Sequence, residues 1–356
     1  MEKTSKIYVA GHRGLVGSAI FKKLAELGYT NVIGRTSAEL DLLDAAATKK
    51  FFEEEKPEYV FLAAAYVGGI MANNTYRADF IYKNLQIQQN VIVNAFETQV
   101  KKLLFLGSTC IYPKEAHQPI SETELLTNTL EYTNEPYAIA KIAGLKMCES
   151  FNIQYGTNFI SVMPTNLYGP NDNFDLERSH VLPAMIRKIH LSKHLMNRNW
   201  EELRKDLSAR PVEGLNGTEP ESETIGMLAR YGIFEDRVEL WGTGTPMREF
   251  LWSEEMADAC IFVMNKIDFK DLYSGREIRN THINIGTGKD ISIRELSQLI
   301  ADKIQYTGKI QFDSSKPDGT MRKLVDVRKL NALGWKHDIE IEEGVSRMYD
   351  WYLQNL

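Results

Sequence analysis

The chain has 356 residues, 43% hydrophobic and 25% charged, with a formal net charge of −6 at pH 7. That length suffices for one large core or two modest ones, and the negative balance, with no basic stripe against it, excludes a nucleic-acid-binding surface. No apolar run approaches the ~20 residues that a membrane span requires, the start Met1-Glu2-Lys3-Thr4-Ser5-Lys6 carries no apolar leader, and the cysteines Cys110, Cys148 and Cys260 have the spacing of neither a disulfide framework nor a zinc ribbon. The expectation is a cytoplasmic protein with no nucleic-acid and no membrane partner.

Ile7-Tyr8-Val9-Ala10 predicts a first strand, which ends in Gly11-His12-Arg13-Gly14-Leu15-Val16-Gly17 and continues as a helical pattern to Gly28. Strand, glycine turn and helix in that order aim backbone N–H groups at a pyrophosphate. The spacing is GxxGxxG, for which a tight turn without a ligand is the alternative. The second strand, Asn31–Gly34, leads to the place where an acidic residue would select NAD by binding the ribose 2′-OH. Arg35-Thr36-Ser37 stand there instead, and Arg35 with Arg13 suits a 2′-phosphate, so the cofactor expected is NADP(H). Asp41 to Asp44 start another helix. A third strand, Tyr59–Leu62, runs into Ala63-Ala64-Ala65, whose small side chains let a cofactor lie against the backbone. The long helix predicted between Tyr76 and Thr98 spreads its apolar residues too widely for one face. Either a second face meets another subunit or the helix is buried in one large domain.

The strand Lys102–Gly107 delivers Ser108, and Tyr137 and Lys141 follow on a helix. Residues four apart share a helix face, so the ammonium is expected beneath the phenol, favouring its ionised form. Lowering a phenol from about 10 by roughly three units takes about 4 kcal/mol, which a cation and a cofactor together supply. Ser108 would hold a carbonyl oxygen opposite the tyrosine. Tyr-x-x-x-Lys arises by chance in many amphipathic helices, and gains meaning from the strand-end serine and the glycine loop upstream. Cys148 and Cys260 read as helix core, and Cys110 by residue type alone as a small buried hydrophobe.

Phe159–Met163 is a further strand and Pro164-Thr165-Asn166-Leu167-Tyr168-Gly169-Pro170 the turn at its end. The repeated strand–helix alternation predicts an α/β fold, a Rossmann-type doubly wound and mainly parallel sheet, with ligands at the carboxyl ends of its strands. Ser179–Pro183 precede a basic helix with Arg187 and Lys188. His190 and His194 on it have the spacing of metal ligands but no third ligand, so a solvated helix face is expected. Residues 191–234 form a charged, mostly helical insertion. Trp241 and Arg248 flank a glycine turn and suit a base and a phosphate, the alternative being a hairpin with a surface arginine. His282–Gly286 is a strand, Ile293–Ile304 a helix, Lys316-Pro317-Asp318-Gly319 a turn and Ile341–Leu356 an amphipathic helix. Residues 1–170 are therefore assigned to an NADP-binding Rossmann domain to which later segments return. Residues 171–356 are assigned mainly to a smaller substrate-binding α/β part, with the substrate in the cleft between the two.

Gly11-His12-Arg13-Gly14, Ala63–Asn74, Gly107–Pro113, Asn134–Gly144, Ser161–Asn173, Trp241–Phe250 and Lys316–Gly319 together resemble the extended short-chain dehydrogenase/reductase family, on the side of its members that act on GDP-linked 4-keto sugars. The resemblance implies that Tyr137 is the acid of a 4-keto reduction, with Lys141 its modulator and a ribose contact. It implies that Cys110 and His180 form the acid–base pair for epimerisations at C3 and C5. Gly11 to Gly17, Leu106, Gly107, Ser108, Thr109, Pro164, Thr165, Asn166, Leu167 and His180 fall where the family holds the dinucleotide. Lys188, Trp241, Arg248 and Asp318 fall on its GDP-sugar contacts. Family members pair as homodimers through two long helices, here near 76–98 and 136–155. The chain departs from the pattern at Ser37, where the family often has another arginine, and in the length of the 191–234 stretch.

Overall fold

In the computed structural model, residues 1–316 and 318–356 are described, so Pro317 of the expected turn lies outside them. Six strands form one parallel sheet in the order Ile283–Ile285, Phe159–Pro164, Lys102–Leu106, Tyr59–Leu62, Ile7–Ala10 and Val32–Ile33. Every residue of Ile7–Ala10 is buried, as a strand covered on both faces requires. Ile7 and Val9 enter one core with Ile20 and Leu24 of the helix Leu15–Glu26 and Val263 of the helix Ser253–Lys266. Tyr8 and Ala10 point into the other core, with Phe52 of Ala45–Glu55, Ile92 of Arg77–Glu97 and Leu145 of Glu135–Tyr155. The two-residue alternation of a strand thus distributes the helices over both faces.

The chain steps from Ile7–Ala10 outward to Val32–Ile33, then back across it to Tyr59–Leu62. That reversal opens a crevice beyond the carboxyl ends of Ile7–Ala10 and Tyr59–Leu62, the place where this architecture takes ligands. The pairing of Ala10 with Leu62 brings Gly11 beside Ala63 and Ala64.

The chain divides into two compact units. The first comprises Met1–Leu167, Glu249–Lys289 and Leu324–Asp338, and the second Tyr168–Arg248, Asp290–Lys323 and Ile339–Leu356. In the second unit Arg237–Trp241 pairs in parallel with Lys309–Asp313, and Met247–Arg248 lies between Ile291–Ser292 and Arg322–Lys323. The 191–234 segment has a core of its own: Leu203 and Leu207 of the helix Trp200–Ala209 and Leu228 of Glu221–Arg230 pack on Leu191 and Leu195. Its anchor is a buried ion pair in which the Arg187 Nε and Nη2 donate to Asp206 Oδ1 at 3.0 and 2.9 Å, while the Tyr352 hydroxyl donates to the same carboxylate.

The expected solvated face at His190 and His194 is corrected here. His190 is fully buried, with Nδ1 3.0 Å from the Tyr349 hydroxyl. Desolvation pushes its imidazole down to about 3, so it is neutral. The wall that buries it, Tyr349 and Tyr352, comes from the last helix, Ile341–Gln354, beyond the reach of any local pattern. Among the described residues no helix is long and apolar enough to cross a membrane.

Candidate active site

The glycine loop is shaped by three close approaches. Gly11 has φ +82°, and a Cβ on it would stand 2.8 Å from the Ala64 nitrogen, so both the turn and the contact with the neighbouring strand's end require glycine. A Cβ on Gly17 would stand 2.1 Å from the Gly11 carbonyl oxygen, which locks the helix start against the loop. The first turn of Leu15–Glu26 has no side-chain cap at Gly14, and Arg13 and Gly14 are exposed. Uncapped N–H groups at a helix N-terminus beside an exposed arginine fit a diphosphate. His12 packs its ring against Gly34, where a Cβ would come within 2.4 Å of His12 Cγ.

Arg35 is more committed than its sequence position suggests. Its Nη2 pairs with Glu55 Oε1 at 2.6 Å, its Nη1 donates to the Gly34 carbonyl at 2.9 Å and its guanidinium lies over the Phe51 ring. Any 2′-phosphate would share this guanidinium with Glu55, which leaves Arg13 as the exposed cation.

The catalytic candidates of the first unit gather at the end of Lys102–Leu106. Gly107 permits the crossing there, since a Cβ would strike the Met163 side chain at 2.3 Å. Ser108 turns the chain into a short 3₁₀ turn, Thr109–Ile111, by accepting from the Cys110 N–H at 3.2 Å. Tyr112 pins the far end of that turn, its hydroxyl 2.9 Å from His282 Nε2 and donating to Asn284 Oδ1 at 2.5 Å. Tyr137, in the first turn of Glu135–Tyr155, hydrogen-bonds Ser108 and feels the Cys110 thiol, so Ser108, Cys110 and Tyr137 converge. Lys141 is buried one turn later, with Nζ donating to the Leu106 carbonyl at 2.8 Å and standing 5.8 Å from the Tyr137 ring centre. Thr109 is buried. Pro164 ends its strand, and Thr165 and Asn166 are held by hydrogen bonds to the Glu249 carbonyl at 3.3 and 2.8 Å, with Leu167 following.

The expected electrostatics of the pair are corrected in the protein alone. Burial, with the nearby Cys110 adding to it and the Ser108 hydrogen bond opposing, holds the Tyr137 phenol above its ordinary value. Burial also takes Lys141 down to about 7. The i, i+4 geometry is as predicted, but at 5.8 Å from the ring in a dry site desolvation outweighs the attraction.

His180, Lys188, Trp241, Arg248 and Asp318 belong to the second unit. His180 is exposed immediately before Val181–Met196. Lys188, half-buried and facing Glu239, is taken down to about 8 by desolvation. Trp241 leaves 58% of its surface open, with Lys316 Nζ 5.6 Å from its ring centre. Asp318 is occupied: its oxygens accept from the Thr243 N–H at 2.9 Å and the Thr243 hydroxyl at 2.7 Å. Arg248 lies against Gly319, where a Cβ would approach its Nη2 within 2.9 Å. An open indole, the three cations Lys188, Lys316 and Arg248 and a braced turn suit a base and a diphosphate. Thr243, Lys316, Tyr112 and Asn134, which reaches Cys110, escaped notice from sequence. Nothing local in their strings says where each side chain turns.

The sequence pattern of the NAD dependent epimerase/dehydratase family matches residues 7–210 and 213–286. The chain is similar to GDP-L-fucose synthase 1 of Arabidopsis thaliana, 52% identical over 355 residues that cover all of this chain and 95% of the relative. Among solved structures, it is similar to a GDP-6-OMe-4-keto-L-xylo-heptose reductase from C. jejuni, with 47% identity, a TM-score of 0.95 and coverage of 100% and 99% of the two chains. A GDP-D-glycero-L-gluco-heptose synthase from Campylobacter jejuni, solved in the presence of NADPH, matches with 46% identity, a TM-score of 0.92 and 99% coverage of both chains.

Proposed function

The chain belongs to the NAD dependent epimerase/dehydratase family, and from that premise we infer that it converts GDP-4-dehydro-6-deoxy-D-mannose to GDP-L-fucose with NADPH, as a homodimer, by 3,5-epimerisation followed by reduction at C4. The observation that carries the reading is the convergence of Ser108, Cys110 and Tyr137 beside Lys141, next to a loop built for a dinucleotide. C3 and C5 both flank the C4 ketone, so a base can take either proton to leave an enolate and an acid can return one to the opposite face. Cys110 takes the proton and His180 returns it. A bound nicotinamide would supply the hydride to C4. Tyr137 gives its phenol proton to O4, with Ser108 holding that oxygen and the Lys141 ammonium stabilising the phenolate left behind. The cradle of Gly11, Gly14 and Ala64 would hold the diphosphate, with Arg13 at the 2′-phosphate. Trp241, Arg248 and Lys188 would hold the GDP.

The two chemistries separate by mutation. Tyr137→Phe is expected to keep deuterium exchange from heavy water into C3 and C5 while hydride transfer falls by about 10²–10⁴-fold, the usual worth of a positioned acid. Cys110→Ser and His180→Gln are expected to lose the exchange. Wild-type exchange at both carbons in Cys110→Ser would remove Cys110 as the base. A second reading, a 4-reductase of a GDP-linked keto-heptose, rests on the likeness to the C. jejuni reductase, 47% identical with a TM-score of 0.95. The ratio of kcat/KM for the hexose and heptose substrates decides between them.

A further inference from the structure

Asn134 closes the 3₁₀ turn Tyr132–Asn134 and is the cap residue of Glu135–Tyr155. Asparagine at a helix cap ordinarily spends its side-chain oxygen on a backbone N–H of the first turn, a bond worth about 0.5–2 kcal/mol. Here it makes no such bond. The carboxamide turns the other way, and its Nδ2 donates to Cys110 Sγ at 3.3 Å. Its Oδ1 is buried without a hydrogen-bond partner, so the side chain has given up a ready acceptor role at the helix in order to reach the sulfur.

We propose that Asn134 is a positioning residue for Cys110, its amide N–H fixing the sulfur and favouring the thiolate. A donor aimed at sulfur strengthens when the sulfur becomes an anion, because hydrogen bonds to ionised acceptors are roughly twice as strong as neutral ones. Tyr137 on the helix also faces the Cys110 thiol, and the backbone N–H of Cys110 is held by Ser108 Oγ at 3.2 Å. The role of the thiolate as base rests on the functional reading above; the hydrogen bond itself does not.

The test is the rate of iodoacetamide alkylation of the full chain as a function of pH. Cys148 and Cys260 are 1% and 0% exposed, so Cys110 is the cysteine that reports, with Cys110→Ser as the blank. Asn134→Asp keeps the shape and is as good a helix cap, but a carboxylate accepts and repels where the amide donates. In Asn134→Asp and Asn134→Ala the pH of half-maximal alkylation is expected to rise by about one unit, with NADPH titration and thermal unfolding near wild type. An unchanged midpoint in both variants overturns the proposal. If the midpoint moves while deuterium exchange at C3 and C5 keeps its wild-type rate, Asn134 serves Cys110 as stated and it is the assignment of Cys110 as the base that fails.

Discussion

Lys141 shows at the scale of one residue how function and stability pull apart. The folded chain releases its proton at about 7, whereas an unfolded lysine keeps it to about 10.4. Between those values the unfolded state binds more protons, so stability rises with pH. The burial penalty is full below about 7 and fades as pH approaches the unfolded value. Lys141→Met removes the penalty at the cost of the hydrogen bond to the Leu106 carbonyl. We expect the variant to be more stable than wild type by about 1–3 kcal/mol at pH 6.5, with the gain shrinking by pH 9.5 and hydride transfer lost. Denaturant unfolding at the two pH values checks this, and a variant less stable at pH 6.5 would contradict it.

The glycine loop is held as one element by backbone contacts. Gly17→Ala places a Cβ 2.1 Å from the Gly11 carbonyl oxygen, an obstacle of backbone with no flexible side chain to yield. The loop must open, so NADPH binding by fluorescence titration should weaken at least tenfold, and an unchanged affinity would contradict the close packing. This element was legible in sequence because glycine is demanded by local geometry, and so was the tyrosine–lysine pair, because helix spacing is local too. The sheet was legible up to its order, since runs such as Tyr59–Leu62 declare themselves by composition. What could not be read depends on distant partners. Arg35 looked like a free phosphate ligand until Glu55 closed on it, and His190 looked solvated until the last helix covered it. Asn84, Gln88 and Asn90 of Arg77–Glu97 are buried and donate to the backbone carbonyls of Tyr66, Ala140 and Leu42, partners outside the helix that no local pattern shows.

Across the whole molecule, the chain passes between its two units at 167/168, 248/249, 289/290, 323/324 and 338/339. The helices Arg77–Glu97 and Glu135–Tyr155 pack together through Phe96 with Phe151 and Tyr155, yet leave Tyr82 61%, Ile153 53% and Tyr155 53% exposed. Large apolar side chains open on two adjoining helices suit a symmetric partner. Tyr82→Glu combined with Ile153→Glu is expected to give a monomer in sedimentation, and a variant that still sediments as a dimer would move the interface elsewhere. Whether one chain both inverts and reduces its sugar is decided by NMR of the product formed from GDP-4-dehydro-6-deoxy-D-mannose and NADPH in heavy water. The product expected is GDP-L-fucose carrying deuterium at C3 and C5. A 4-reduced sugar with its original configuration and no deuterium at either carbon would contradict it.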